Sequence, residues 1–250
     1  MKYVRILHNN RSFWGVLEGK KVRLLRAAPY ESAEFEGTDL PLSECKLLAP
    51  CEPTKIVCVG KNYADHAMEL GGFIPELPVL FLKGVNTVNN PEGEISAPDF
   101  VQRLDYEGEL AFVVKKRAKN VKAENWKDYV LGFTCLNDVT ARDVQKIDGQ
   151  WTRAKCMDGF APIGPWVTDE ADPSSLRVQT RLNGKTVQDG NTKQFMHKLP
   201  QLMEFITAAM TLEAGDVVTT GTPAGIGPMQ KGDTVEVEIE GIGVLKNYVV

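Results

Sequence analysis

Short stretches of alternating apolar and polar residues open the chain. Residues 3–8, 12–18 and 21–25 each alternate in this way, and Asn9-Asn10-Arg11 and Glu18-Gly19-Lys20 separate them. A period of two is typical of a strand with one buried face, and asparagine and glycine favour tight hairpin turns. The first 25 residues therefore predict a small β-meander.

A polar, irregular stretch follows from residue 29 to residue 48, and residues 49–53 contain two prolines. Such segments are typical of boundaries between structural units. We expect a small N-terminal β domain over residues 1–50 and a main, catalytic domain over residues 51–250.

The main domain is predicted to be rich in strands. Five segments have strand composition, namely 79–82, 109–114, 130–136, 178–187 and 217–220. Within the fourth segment Asn183-Gly184 is a strong hairpin signal, and residues 233–250 predict a further hairpin that turns at 241–243.

Few segments favour helices. Residues 199–210 carry one apolar stripe, and shorter helices are predicted at 63–70 and 141–147. Thr140 and Asp143 resemble a capping pair for the last of these. The predicted fold class is therefore α+β and rich in β-structure.

The composition is that of an ordinary globular protein, with 43% hydrophobic residues, 25% charged residues and a net charge of -4. This balance does not suit nucleic acid or an anionic membrane as the partner, and no run approaches the ~20 apolar residues of a membrane span. Five cysteines without a C-x-x-C pair favour neither a disulfide framework nor a structural zinc site. We expect a cytoplasmic protein.

Two glutamates, Glu107 and Glu109, begin an otherwise apolar strand. A period of two puts both carboxylates on one face of that strand. At about 4 Å two such charges repel by roughly 4 kcal/mol at an effective dielectric of about 20, so a partly buried pair requires a cation. Alternatively, both side chains lie in solvent at an exposed beginning of the strand.

Asp138 follows a second apolar strand, at residues 130–136, and leads into the predicted helix at 141–147. Strand ends commonly carry functional sites. Three carboxylates without a neighbouring histidine or thiolate pair suit a hard cation, Mg²⁺ or Mn²⁺, with open positions for water or substrate. The alternative is that Asp138 only caps the helix.

Four further side chains could act beside these carboxylates. Arg142 and Gln145 lie three residues apart on the predicted helix, within reach of an anion held at Asp138. His66 and Glu69 have the same spacing and can meet as a base and the group that orients it, although a lone histidine is commonly structural.

Lys155 lies among apolar and aromatic residues that would desolvate its amine, although a lone lysine is normally a surface residue. Residues 217–228 form a strand that runs into a glycine-rich loop, whose spacing fits neither G-x-G-x-x-G nor G-x-x-x-x-G-K-[ST]. We expect this loop to offer backbone amides and the Thr222 hydroxyl to a carboxylate.

Five segments together resemble the successive motifs of the fumarylacetoacetate hydrolase family. They read V-G-K-N-Y-A-D-H-A-M-E, D-Y-E-G-E-L-A, N-D-V-T-A-R-D-V-Q, P-I-G-P-W-V and T-G-T-P-A-G-I-G, within residues 55–250. The resemblance implies a mixed β-roll of several packed sheets with short helices, and a homodimer.

The resemblance also implies roles for individual residues. His66 and Glu69 would form an acid-base dyad on a lid that orders over the substrate. The implied Mg²⁺ or Mn²⁺ ligands are Glu107, Glu109 and Asp138, and the implied substrate-binding residues are Arg142, Gln145, Lys155 and Thr222.

The expected function is metal-dependent cleavage of a C–C bond in a small 2-oxo acid through a pyruvate enolate, as in acylpyruvate hydrolases and oxaloacetate decarboxylases. In that reaction His66 would activate water, and Lys155 would stabilise developing negative charge. Fumarylacetoacetate itself is not the expected substrate, because the enzyme that cleaves it has a much longer N-terminal domain. Residues after Gly71, such as Phe73 and Ile74, are expected to shape the pocket for the distal group.

Two other functions stay open. An isomerase or tautomerase of a 2-hydroxy-dienedioate or of oxaloacetate, in the breakdown of aromatic compounds, would use the same site. A non-enzymatic β module with a structural cation would leave His66, Glu69 and Lys155 without a purpose.

Overall fold

Strands make up most of the molecule, which we describe from a computed structural model for residues 1–69, 71 and 74–250. The strands are β1 (Lys2–His8), β2 (Arg11–Glu18), β3 (Lys21–Leu25), β4 (Phe35–Pro41), β5 (Lys46–Leu48), β6 (Ile56–Gly60), β7 (Val79–Lys83), β8 (Val88–Asn89), β9 (Glu94–Ile95), β10 (Leu104–Tyr106), β11 (Gly108–Val114), β12 (Val130–Asn137), β13 (Thr140–Ala141), β14 (Ala161–Thr168), β15 (Arg177–Leu182), β16 (Lys185–Asn191), β17 (Val217–Thr219), β18 (Gly227–Met229), β19 (Thr234–Ile239) and β20 (Gly243–Val249).

The helices in the described part of the chain are short. They are α1 (Ala64–Glu69), α2 (Arg142–Asp148), α3 (Thr152–Lys155) and α4 (Leu199–Ala209), with 3-10 turns at Leu42–Glu44, Val85–Thr87, Ala123–Tyr129 and Thr192–Gln194. None of these helices has the length and apolar character that crossing a membrane requires. The predicted β-rich α+β class is confirmed.

The strands form three sheets. A 12-stranded sheet has the order β4-β3-β2-β1-β14-β12-β11-β17-β6-β7, with β5 beside β1 and β8 beside β14. A 5-stranded sheet has the order β16-β15-β19-β20-β9, and a 3-stranded sheet has the order β13-β10-β18. Most neighbours are antiparallel, but β17 runs parallel to β6, so the large sheet is mixed.

The predicted meander is present as β1, β2 and β3. Asn9 and Asn10 have φ angles of 49° and 61°, the left-handed conformation that a tight hairpin turn requires. β1 also pairs with β14, Lys2 opposite Thr168. The meander and the main domain therefore share one sheet, and the division near residue 51 stays a prediction.

Two parts of the large sheet differ from the expectation. The stretch 29–48 was expected to be irregular, but it contains β4 and β5; nearly all of β4 is exposed, so its sequence lacks an alternating pattern. β14 is buried along most of its length although Pro162 and Pro165 lie within it. Proline is normally confined to edge strands, which is why the sequence did not predict β14 as a strand.

The main core lies between the large sheet, the 5-stranded sheet and α4. The apolar stripe of α4 contributes Leu202, Met203 and Ile206, which join Phe112 from β11 and Val237 from β19 in one buried cluster. The predicted helix at 199–210 and the predicted hairpins at 183–184 and 241–243 are confirmed.

Two short helices stand at the end of the sheet where β11 and β12 meet. The helix predicted at 63–70 is α1, and its predicted last residue, Leu70, lies outside the described residues. The helix predicted at 141–147 is α2, but its predicted capping pair is wrong. Thr140 donates its hydroxyl hydrogen to the carbonyl of Asp138, and Asp143 accepts hydrogen bonds from the backbone of residues 102 and 103.

A buried aspartate fixes the start of β17 against the residues before β6. Asp216 accepts hydrogen bonds from the backbone and hydroxyl of Thr54, from the backbone and ammonium of Lys55, and from the backbone of Glu213. Burial alone would raise the pKa of Asp216, but these donors and the charge of Lys55 hold it below its ordinary value. Asp216 is therefore a stabilising ion in the folded state.

We predict that Asp216→Asn lowers the free energy of unfolding by roughly 3 kcal/mol, because it leaves a cation and several donors without their partner. The folded pKa is depressed, so the contribution of Asp216 is present above about pH 4 and declines as the pH falls through the folded value. Urea unfolding at pH 7 and pH 3 measures both effects. Asp189→Asn, which removes a surface ion pair with Arg177, should change stability little, and an equal loss in the two variants would contradict the prediction.

Candidate active site

An alternating run of charged residues crosses from β10 into β11. Arg103, Asp105, Glu107 and Glu109 are spaced two apart, which puts them on one face. The three carboxylates of this run are buried, with Asp105 completely inaccessible to solvent. The possibility that Glu107 and Glu109 are solvated surface residues is therefore excluded.

The register of β11 against β12 brings Asp138 to the same place. Gly108 lies opposite Asn137, and the next residue, Asp138, donates its backbone N–H to the carbonyl of Glu107 at 2.8 Å. One carboxylate oxygen each from Glu107, Glu109 and Asp138 lies within 4.8 Å of the others. The structure thus brings the three predicted carboxylates together as a donor set made only of oxygen, the set that Mg²⁺ and Mn²⁺ prefer.

Two of these carboxylates contact cationic side chains. Glu107 accepts hydrogen bonds from Arg142 and, at 2.8 Å, from the ammonium of Lys155. Asp138 accepts hydrogen bonds from Lys155 and from Lys83, both at 2.6 Å. Lys155 therefore bridges the two carboxylates, and it is buried rather than on the surface.

Glu109 differs from its two neighbours. Its hydrogen-bond donor is the backbone N–H of Gly221, at 2.9 Å, and no cationic side chain among the described residues forms an ion pair with it. Burial and the charges of Asp138 and Glu107 raise the pKa of Glu109 to about 8. Burial acts on Glu107 in the same direction, but Lys155 and Arg142 outweigh it and hold the pKa of Glu107 well below its usual range.

Helix α1 presents His66 and Glu69 as the sequence predicts. Nδ1 of His66 lies 3.1 Å from a carboxylate oxygen of Glu69. The backbone N–H of Gly225 lies 3.2 Å and 3.4 Å from the two oxygens of the same carboxylate. Glu69 is thus held between the imidazole and the glycine-rich loop, and His66 is buried and lines the same cavity as the three carboxylates.

Arg142 and Gln145 contact each other on α2, with the guanidinium donating to the Gln145 side-chain oxygen at 2.7 Å. The same guanidinium also donates hydrogen bonds to the carboxylates of Asp105, at 2.9 Å, and of Glu107. These carboxylates fix the plane of the guanidinium at the edge of the site.

The glycine-rich loop binds carboxylates, but they belong to the protein itself. Gly221 donates to Glu109 and Gly225 donates to Glu69. The hydroxyl of Thr222 donates to the carbonyl of Gly108 at 2.9 Å, not to a carboxylate. The loop therefore orients one candidate metal ligand and one member of the dyad.

A cavity of about 20 Å³ lies among these side chains, a volume near that of one water molecule or ion. Of the nine residues that the sequence predicts for the site, all but Glu69 line it, and Glu69 contacts the lining residue His66. The lining residues from this set are His66, Glu107, Glu109, Asp138, Arg142, Gln145, Lys155 and Thr222.

Sequence reasoning missed two buried charges at this site. Asp105 has a signal in the sequence, because it continues the alternating face of Glu107 and Glu109. Lys83 has none, because a lysine that ends an apolar strand is expected to point into solvent. The predicted pocket residue Phe73 lies outside the described residues, and Ile74 is 48% exposed.

Two models of protein families match the chain. The model of the fumarylacetoacetate (FAA) hydrolase C-terminal domain matches residues 55–250, and a model called Rv2993c-like, N-terminal matches residues 1–50. Among the relatives is the oxaloacetate tautomerase YisK of Bacillus subtilis, 41% identical over 83% of this chain and 74% of the relative.

Two solved structures are informative. The 5-carboxymethyl-2-hydroxymuconate delta-isomerase of Mycobacterium smegmatis has a TM-score of 0.95 and 40% identity, covering 100% of this chain and 99% of that one. The maleylpyruvate hydrolase of Sphingobium sp. SYK-6, in complex with manganese(II) and pyruvate, has a TM-score of 0.82 and 26% identity over the same shares of the two chains.

The loop geometry yields a prediction about two glycines. Gly225 has a φ angle of 100°, and a Cβ added there would lie 2.3 Å from the carbonyl oxygen of Val187; Gly232 has a φ angle of 95° and nothing within 4 Å. Gly232→Ala should cost about 1 kcal/mol of unfolding free energy through its backbone conformation. Gly225→Ala should cost at least about 2 kcal/mol more, because the loop must move. Equal losses in chemical denaturation would show that the close approach does not matter.

Proposed function

Because the chain belongs to the fumarylacetoacetate hydrolase family, we propose that it is an enzyme that transfers a proton on a small 2-oxo acid, as an isomerase or tautomerase. We propose further that Glu107, Glu109 and Asp138 hold a divalent cation, Mg²⁺ or Mn²⁺, and that His66 with Glu69 carries the proton.

The observation that carries the proposal is the position of Glu109. It is a buried carboxylate beside two others, and it has no cationic side chain of its own within the described chain. A cation in the cavity would supply that missing counter-charge, and the donor set consists of oxygen alone, which fits a hard divalent ion. When bound, such an ion supplies Lewis-acid polarisation of the substrate's 2-oxo group, which makes the neighbouring C–H bond more acidic.

The dyad is suited to moving the proton. Because Glu69 faces Nδ1 of His66, it favours the tautomer with the proton on Nδ1 and leaves Nε2 to accept a proton from the substrate. Glu69 itself is fixed by Gly225, so the imidazole is held in one orientation. Return of the proton to a different carbon or oxygen completes an isomerisation.

Cationic and polar groups around the cavity can hold the acid. Lys155 and Arg142 each contact Glu107 and each line the cavity. Either cation can therefore pair with a substrate carboxylate in place of Glu107. Gln145 and Thr222 line the same cavity and add neutral hydrogen-bonding groups.

The named relatives favour proton transfer as the first candidate. The relative named as a tautomerase and the structure named as an isomerase are 41% and 40% identical to this chain. The structure named as the fumarylacetoacetate hydrolase of Exiguobacterium antarcticum is 37% identical and the maleylpyruvate hydrolase 26%. The second candidate is C–C cleavage through a pyruvate enolate, the reaction expected first from the sequence motifs, and the likeness to the maleylpyruvate hydrolase supports it. Both reactions pass electrons onto the 2-oxo group to form an enolate, so one site can serve either.

A panel of oxaloacetate, acetylpyruvate, fumarylpyruvate and a 2-hydroxy-dienedioate separates the two candidates. With Mg²⁺ or Mn²⁺ present, we expect a change in ultraviolet absorbance on at least one substrate without release of pyruvate or CO₂. Release of pyruvate at the rate of the absorbance change would favour cleavage. Turnover that survives exhaustive chelation would contradict the metal-dependent proposal.

We predict that Glu109→Gln loses Mn²⁺ binding, measured by isothermal titration calorimetry, while the stability of the metal-free protein does not fall. The reason is that the substitution removes a ligand, while in the metal-free protein the pKa of Glu109 is raised to about 8, so the neutral amide replaces a carboxyl that is mostly protonated at pH 7. Glu94→Gln, which changes an exposed glutamate, is the matched control and should bind Mn²⁺ as the wild type does. Unchanged Mn²⁺ affinity in Glu109→Gln would contradict the assignment of this ligand.

We predict that His66→Ala lowers kcat by about 100-fold or more, because it removes the group that carries the proton. Its Mn²⁺ affinity should stay close to that of the wild type, since His66 is not among the three carboxylate ligands. His8→Ala, on the first hairpin, should leave both quantities unchanged. Full activity of the His66→Ala variant on the best substrate would exclude the dyad from the reaction.

A further inference from the structure

Lys83 is a completely buried lysine that the proposed reaction does not use. It is the last residue of β7 and is 0% exposed. Its ammonium donates to one oxygen of Asp138 at 2.6 Å and to the carbonyl of Val139 at 3.1 Å. Burying an ammonium is strongly unfavourable unless it is paired, so a specific interaction must offset the loss of solvation.

Lys83 and Lys155 both contact Asp138, but they do so from different sides. Lys155 lines the small cavity and bridges Asp138 to Glu107. Lys83 is not among the residues that line this cavity; it lines a neighbouring cleft of about 770 Å³, and Phe81 and Trp151 form a wall between the two because they line both. Lys155 can therefore contact a ligand in the cavity, whereas Lys83 lies behind Asp138, on the side away from the cavity.

The charges of the three carboxylates and of the ion pairs around them balance. Four negative charges, when ionised, face four positive ones: Glu107, Glu109, Asp138 and Asp105 against Lys83, Lys155, Arg142 and Arg103. A divalent cation added to this set gives the occupied site an excess of two positive charges. An excess positive charge of this kind attracts an anionic acid, and it also weakens the attraction for the metal.

We propose that Lys83 is a positioning residue that acts as a fixed counter-charge behind Asp138, so that it limits the affinity for the divalent cation and raises the affinity of the occupied site for an anion. This rests on the proposed metal site. Lys83 holds one oxygen of Asp138 and leaves the other directed toward the cavity, where Lys155 now contacts it.

The test uses Lys83→Gln, which keeps a hydrogen-bond donor and removes only the charge. Titration calorimetry measures Mn²⁺ binding to the metal-free protein and then oxalate binding to the Mn²⁺-loaded protein. We expect Mn²⁺ to bind about tenfold more tightly and oxalate about tenfold more weakly than in the wild type. The two affinities should move in opposite directions, which a loss of folding cannot produce.

Two other variants complete the test. Lys83→Arg keeps the charge and should restore both affinities toward those of the wild type. Lys55→Gln removes another lysine that is paired with a buried aspartate, and it should lower stability without changing either affinity. If Lys83→Gln folds poorly without metal, thermal unfolding gives the same comparison, because its melting temperature should rise more on addition of Mn²⁺ than that of the wild type.

The outcomes distinguish the two proposals. If the wild type binds no Mn²⁺, the metal site is wrong and the role of Lys83 falls with it. If the wild type binds Mn²⁺ but Lys83→Gln loses both affinities together, or changes neither, only the counter-charge role is overturned.

Discussion

The ammonium of Lys155, held between Glu107 and Asp138, is the interaction on which the site depends. It joins the short helix α3 to the junction of β10 and β11 and to the end of β12, which the register of the large sheet already places side by side. The backbone bond between Asp138 and Glu107 sets the spacing of the two carboxylates. Without the bridging cation, these buried charges would repel one another with no solvent to screen them.

Such a cluster is an expensive way to stabilise a fold, because replacing buried ions by well-packed apolar residues is commonly neutral or stabilising. The rest of the molecule offsets this cost. The apolar core between the large sheet, the 5-stranded sheet and α4 is built from side chains that are almost completely buried. Buried charges that do not maximise stability are typical of sites where chemistry takes place.

The sequence predicted most of the longer strands and the longest helix, and it singled out nine residues that the structure brings together around one cavity. Each has a local signal: alternation for Glu107 and Glu109, a strand end for Asp138, motif spacing for the others. The sequence did not predict β14, because this central strand contains two prolines and proline is normally confined to edge strands. Nor did it predict Lys83, since only the tertiary structure brings the end of β7 behind Asp138. The contact between Lys83 and Asp138 joins residues that are 55 positions apart, and no local pattern in a single sequence indicates such a contact.

Whether one hard cation binds among the three carboxylates can be seen by anomalous X-ray diffraction from crystals soaked in Mn²⁺. We expect one strong peak at the manganese absorption edge, ligated by oxygens of Glu107, Glu109 and Asp138 and lost when the crystal is soaked in a chelator. A peak at another place in the protein, with none among these carboxylates, would contradict this expectation.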